Sequence, residues 1–131
     1  MGNSGYVLVI DDEDIVQEAI GDLLRHIGFD VLFAAHGQEG VDVFIERQDD
    51  IRLVFVDLLM PVMDGRATCQ ELRRVAPDVK IILSSGYDEL EAADMFAEVG
   101  QAARPDVYLQ KPYDIPQLIK LVREMTGRPA R

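Results

Sequence analysis

The sequence predicts an α/β fold: a doubly wound, five-stranded parallel sheet between two layers of helices. Three observations point there. Short apolar runs of β-forming residues alternate five times with longer segments whose apolar positions recur at helical spacing. The central run, Leu53, Val54, Phe55 and Val56, is unbroken by polar residues, as in a strand buried on both faces. It then ends abruptly in a carboxylate, Asp57, where ligands bind in open parallel sheets.

Tyr6 to Ile10 is the first strand, tipped by Asp11, Asp12, Glu13 and Asp14. Ile15, Val16, Ile20, Leu23, Leu24 and Ile27 then mark the first helix, with Gly28 as its left-handed cap. Glu13 and Asp14 suit the positive end of that helix, and His26 suits its other end. Asp30 to Ala34 is the second strand. His36-Gly37 turns the chain into a helix from about Gln38 to Arg47, with Val41, Phe44 and Ile45 on its inner face. Neither histidine has a second one placed to join it, so a zinc site is not expected.

After the Asp57 strand, Pro61 and Asp64-Gly65 mark a loop, and Arg66 to Val75 is a helix ended by Pro77. Lys80 to Leu83 is the fourth strand, tipped by Ser84, Ser85 and Gly86. Glu89 to Val99 is read as a helix with Leu90, Ala93, Met95 and Phe96 as its apolar positions, and Gly100 ends it. Val107 to Gln110 is the fifth strand, with Lys111-Pro112 at its tip. Asp114 and Gln117 have capping-box spacing, and Leu118, Leu121, Val122 and Met125 stripe the last helix. Right-handed crossovers between such strands give a flavodoxin-like sandwich of strand order 2-1-3-4-5. In that order Asp11, Asp12 and Asp57 meet at one crevice, flanked by Ser85 and Lys111.

At 131 residues and 48% hydrophobic content, this is one globular domain, able to bury roughly two-thirds of its unfolded surface. We assign residues 6–126 to it and treat 1–5 and 127–131 as flexible termini. Thirteen basic against 24 acidic side chains leave a net charge of -11, which disfavours direct nucleic acid binding. A single cysteine, Cys69, forms no internal disulfide, and no apolar run approaches a membrane span or a signal peptide. A cytoplasmic location with no membrane insertion is therefore expected.

Three carboxylates packed together repel one another, so the crevice needs cations. An all-oxygen, acid-rich pocket suits Mg²⁺, with Mn²⁺ as a substitute. The Lys111 ammonium is the second cation. Together they would neutralise a transferring phosphoryl group and leave Asp57 as the attacking oxygen, forming an aspartyl phosphate. The Ser85 hydroxyl and Gly86 amide would then bind the new phosphoryl oxygens.

The motifs VIDDE, VDLLMPVMDG, LSSGY and YLQKP, in this order over residues 6 to 126, resemble those of the receiver domains of two-component response regulators. The resemblance implies a phosphorelay module that accepts a phosphoryl group from a histidine kinase or histidine phosphotransfer protein. It implies Asp57 as phospho-acceptor, Asp12 as a direct metal ligand, Asp11 as an acid acting through water, and the Leu59 main-chain carbonyl as a further ligand. Ser85, rather than Ser84, is the implied switch hydroxyl, Lys111 the salt-bridging lysine, Tyr108 the switch aromatic, and the bond before Pro112 is expected to be cis. Such a domain is a signalling element that catalyses only its own phosphorylation and dephosphorylation, and it can form phosphorylation-dependent dimers. SSGY also resembles receivers fused to hybrid histidine kinases, so the chain reads equally as a stand-alone regulator or a piece of a larger one.

Two departures stand out. QAARPD, between Gly100 and Lys111, looks like an insertion of about four residues beside the face many receivers use for partners. The bulky Leu59 and Tyr87, each two residues past an active-site residue, imply slow self-hydrolysis. Rival readings are a Mg²⁺-dependent phosphohydrolase of the haloacid dehalogenase type, a nucleotide or flavin binder, and a degenerate receiver. The first wants a second Asp where Leu59 stands, the second a Gly-rich phosphate loop, and the third the loss of acids that are all present.

Overall fold

The computed structural model describes residues 5–127; of the expected flexible termini, residues 1–4 and 128–131 lie outside the described residues. Five strands form one parallel sheet: β1 (Tyr6–Ile10), β2 (Asp30–Ala34), β3 (Ile51–Asp57), β4 (Ile81–Ser85) and β5 (Val107–Gln110). Their order is β2-β1-β3-β4-β5, as expected. Between them run α1 (Asp14–His26), α2 (Gly37–Arg47), α3 (Gly65–Val75) and α4 (Glu89–Asp94), with α5 (Ile115–Met125) last.

Alternation along the strands divides the core. Val7, Val9, Leu53, Phe55 and Ile82 pack with Ile20 and Leu24 of α1 and with Leu118 and Val122 of α5. Leu8, Ile10, Val54, Val56, Ile81 and Leu83 face the other way, against α2, α3 and α4. Both faces are covered, so the central strands are apolar between their ends, with Arg52 exposed at the start of β3. Gly28 has φ +101, the left-handed conformation that glycine adopts without penalty, and its amide bonds the Arg25 carbonyl to close α1.

Several expectations need correction. β3 begins at Ile51, two residues earlier than the apolar run suggested, and β4 includes both serines. The helix expected over Glu89–Val99 stops at Asp94. Phe96 is fully buried while Leu90 is 78% exposed, so a single apolar stripe does not describe this segment. The chain turns after Asp94 to drive Phe96 inward, and the Met95 carbonyl takes a hydrogen bond from Arg66 instead of continuing a helical ladder. Asp114 makes no side-chain cap to α5. The capping box is at Asp88 and Glu91, opening α4. Glu13 precedes α1 without a side-chain cap, its amide being held by Asp11.

Within the segment expected to be an insertion before β5, Gln101–Ala103 form a 3-10 turn. Arg73 of α3 fastens them, donating to the carbonyls of Arg104, Pro77 and Val79 and to the Asp106 carboxylate. No helix among the described residues is long and apolar enough to cross a membrane.

Candidate functional site

The site grows from the carboxyl ends of β1 and β3, adjacent strands whose following helices leave to opposite faces of the sheet. That divergence opens a crevice. On β1 the apolar run ends at Ile10. The Asp11 amide still reaches the Ala34 carbonyl of β2 at 3.0 Å, so Asp11 is held one residue beyond the ladder. One Asp11 carboxylate oxygen accepts the Glu13 amide at 2.9 Å, a local turn that swings the chain into α1 and leaves Asp12 exposed.

On β3, Asp57 is the last strand residue, in register with Ser84. The Leu58 amide donates to the Ser84 carbonyl and the Gly65 amide to the Leu58 carbonyl, so the loop after Asp57 is pinned at both ends. Gly65 has to be glycine for reasons of space. A Cβ there would lie 2.7 Å from the Leu58 Cα and 2.8 Å from the Asp57 carbonyl oxygen, both main-chain atoms that cannot move aside.

Carboxylate oxygens of Asp11, Asp12 and Asp57 all lie within 4.8 Å of one another. Asp11 and Asp57 are buried, and Lys111 reaches in from the end of β5, its Nζ 3.3 Å from Asp57 Oδ1 and 3.8 Å from Asp11 Oδ2. Burial pushes the Asp57 carboxyl up to about 6, repulsion from Asp11 adds to this, and Lys111 opposes it. Burial likewise raises Asp11, against the Glu13 amide and Lys111. Burial works against the Lys111 charge, but the two acids outweigh it and the ammonium is held above its ordinary range. One ammonium thus faces two buried acids, and the deficit of positive charge is the chemical signature of a cation site.

The donor set fits a hard divalent ion. It is all oxygen, two acids are oriented by packed strands, and Asp12 is open to solvent from which metal-bound water would come. The Leu59 carbonyl accepts no hydrogen bond among the described residues, so it is available as a ligand.

Ser85 ends β4 and is buried, but its hydroxyl is turned to its own loop. It accepts from the Tyr87 amide at 3.2 Å and donates to the Tyr87 carbonyl at 3.3 Å. Tyr108 lies on the same face of the sheet, in register with Leu83, and its half-buried ring meets Phe96 edge to face at 6.0 Å. A cleft of about 300 Å³ runs between Ser85, Tyr87, Tyr108 and Pro112. The Lys111–Pro112 bond is cis. Asp11, Asp12, Asp57 and Lys111 therefore converge, Ser85 stands on the strand next to Asp57, and Tyr108 is set apart from the acids.

Two residues near the pocket escaped the sequence reading. Gln17 of α1 donates to the carbonyls of Asp11 and Ala34; only its place one turn into the helix after the acids hinted at this. Tyr113 follows the cis bond with its hydroxyl buried and facing Ser84, though with no partner in hydrogen-bonding geometry.

A family model described as the response regulator receiver domain matches residues 7–123. Among curated relatives, the sensor kinase CckA of Brucella abortus is 36% identical over 125 residues, covering 95% of this chain and 13% of that protein. The probable transcriptional regulator ycf27 of Porphyridium aerugineum is 34% identical over 122 residues, covering 93% of this chain. The chain spans 48% of that regulator's length. Among solved structures, a response regulator receiver domain protein from Clostridium thermocellum superposes with TM-score 0.82 at 28% identity, covering 94% of both chains. The response regulator TrrA of Thermotoga maritima, solved in complex with Mg²⁺ and beryllium fluoride, gives 0.78 at 26% identity, covering 92% of this chain and 98% of that one.

Proposed function

The chain belongs to the response regulator receiver domain family, and from that premise we propose that it is a Mg²⁺-dependent phospho-acceptor whose acceptor is Asp57. The observation that carries this reading is the convergence of three carboxylates, two of them buried, on one lysine. Repulsion alone would disperse them.

Asp12, Asp57 and the Leu59 carbonyl would hold the ion, with Asp11 acting through water. Mg²⁺, or Mn²⁺ in its place, would neutralise the phosphoryl oxygens. A free Asp57 oxygen attacks phosphorus in line. As the new P–O bond forms, the P–N bond of a phosphohistidine donor breaks, and its electron pair returns to the imidazole, which takes up a proton from solvent. Lys111 offsets the negative charge that arrives. Ser85 exchanges its bonds to Tyr87 for one to a phosphoryl oxygen, and the loop it releases lets Tyr108, on the same face, turn inward. The donor is a histidine kinase or histidine phosphotransfer protein in the cytoplasm, a reducing setting that suits the buried thiol of Cys69. The Mg²⁺ and beryllium fluoride bound by the relative TrrA support the same class of ligand here. The haloacid dehalogenase alternative has no support: the matched family is a receiver, and Leu59 stands where the general acid would be.

The test is labelling with a small acyl phosphate or phosphoramidate plus Mg²⁺. The wild-type chain should take up one phosphoryl group, and Asp57→Asn none. With Leu59 and Tyr87 flanking the acceptor, the label should persist for minutes. Undiminished labelling of Asp57→Asn would overturn the assignment of the acceptor.

A further inference from the structure

Asp11 is held at three points. Its amide donates to the Ala34 carbonyl at 3.0 Å, and its carboxylate accepts the Glu13 amide at 2.9 Å. Its carbonyl accepts from Gln17 Nε2 at 2.8 Å. The first two partners are main chain. The third is a side chain, and it does more than satisfy one acceptor: the same nitrogen donates to the Ala34 carbonyl at 3.0 Å. Both hydrogens of one amide are thus spent on bridging the carboxyl ends of β1 and β2, just past the last ladder residues. That is where the chain must turn sharply enough to present two successive acids to Asp57.

We propose that Gln17 is a positioning residue of the acidic pocket: its bridge across the ends of β1 and β2 sets the backbone angle at which Asp11 and Asp12 face the cation. The inference rests on the reading of those acids as a divalent site. The Asp11–Asp12 peptide has no strand neighbour to fix its plane, because β1 has ended. Rotation of that plane moves both carboxylates, since Asp11 precedes it and Asp12 follows it. A hydrogen bond to the Asp11 carbonyl therefore restrains two ligands at once. Gln17 is suited to this because it is anchored on the first turn of α1, where its own amide bonds the Glu13 carbonyl. Asp11, Glu13, Gln17 and Ala34 thus form one closed set of hydrogen bonds around the turn. Groups that orient metal ligands from behind typically alter metal affinity by about tenfold or more when lost.

The experiment is Mg²⁺ titration by calorimetry of the wild-type chain, of Gln17→Met, and of Leu121→Ala. Gln17→Met is neutral and similar in length but has no donor; Leu121→Ala, in α5 and packed against the core, serves as a control for general loss of stability. Each is paired with a metal-free melting curve. Gln17→Asn, too short to bridge both carbonyls, replaces Gln17→Met if that variant fails to fold. The proposal expects the Mg²⁺ dissociation constant to rise by about tenfold in the Gln17 variant and less than twofold in the control, with the Asp12 amide resonance shifted in the metal-free Gln17 variant alone. Unchanged affinity in the Gln17 variant, or an equal loss in the control, would overturn it while leaving the cation site intact. No Mg²⁺ uptake by the wild-type chain would remove the site itself, and this inference with it.

Discussion

Asp57 is pulled two ways, and the balance sets its pH behaviour. Burial and the Asp11 charge disfavour its ionised form, Lys111 at 3.3 Å favours it, and the carboxyl comes to rest at about 6 against an ordinary 3.8. Because the folded value is raised, its contribution to stability is fully present below about pH 4 and is lost as pH rises through about 6. At neutral pH without metal, the ionised carboxylate is a burden of at most about 3 kcal/mol, the free-energy equivalent of that shift. Asp57→Asn removes the charge and keeps the shape. Urea denaturation in chelator at pH 7 should find the variant more stable by about 1–3 kcal/mol, and the gap should shrink to about a third by pH 4.5 and close by about pH 3. A variant equal to or weaker than wild type at pH 7 would refute the account. The sequence made Asp57 conspicuous because an acid ends an apolar run. It gave no comparable sign of Gln17, whose role depends on two carbonyls it meets only in the fold, and it marked Gly65 only as a loop residue, because the main-chain atoms that demand glycine there are brought beside it by the fold.

Among the elements, the connection from α4 to β5 shows where periodicity stops being informative. The apolar spacing of residues 89–99 suits a longer helix, and nothing local forbids one. What ends α4 is tertiary: Phe96 is wanted in the core, and α3 supplies donors for the carbonyls released. Arg73 does this for the segment before β5. Its side chain is 10% exposed and serves the Arg104 carbonyl, the Pro77 and Val79 carbonyls and Asp106, which in turn accepts the Ile81 amide at 2.8 Å. The stretch before β5 is therefore fastened to the start of β4 directly, by Asp106 bonding both the amide and the carbonyl of Ile81, and to α3 through one guanidinium. Arg73→Leu keeps the apolar stem and deletes the donors, stranding a carboxylate and several carbonyls. It should cost about 2–4 kcal/mol in urea denaturation and speed amide exchange at Ile81. Asp106→Asn, which keeps an acceptor for Ile81, should cost less. A loss below about 0.5 kcal/mol for Arg73→Leu would mean the network is replaceable by water. The misplaced capping box has the same origin. Asp114–Gln117 and Asp88–Glu91 both have the spacing, but only at Asp88 does the backbone present its amides to the side chains.

For the molecule as a whole, strand order and the common end of the loops that carry the acids and the lysine were readable because parallel crossovers leave few alternatives. Net charge was readable too, and it complicates any metal experiment. A chain of -11 is stabilised by any salt, since ions screen its self-repulsion. A site-bound ion acts differently. Stabilisation by screening is spread over all acids and follows ionic strength, whereas binding to one pocket saturates and grows as the logarithm of free ion over its dissociation constant. Melting curves at constant ionic strength, with NaCl replaced stepwise by MgCl2, separate the two. The wild-type chain should gain about 1.4 kcal/mol at tenfold the dissociation constant, roughly 5 °C for a domain of this size. Asp12→Asn should lose most of that gain while keeping the full response to NaCl, because it removes one ligand and only one of 24 acidic charges. If Mg²⁺ and Na⁺ were interchangeable at matched ionic strength, the acids would be a repulsive cluster diluted by salt, and the crevice between β1 and β3 would hold no ion of its own.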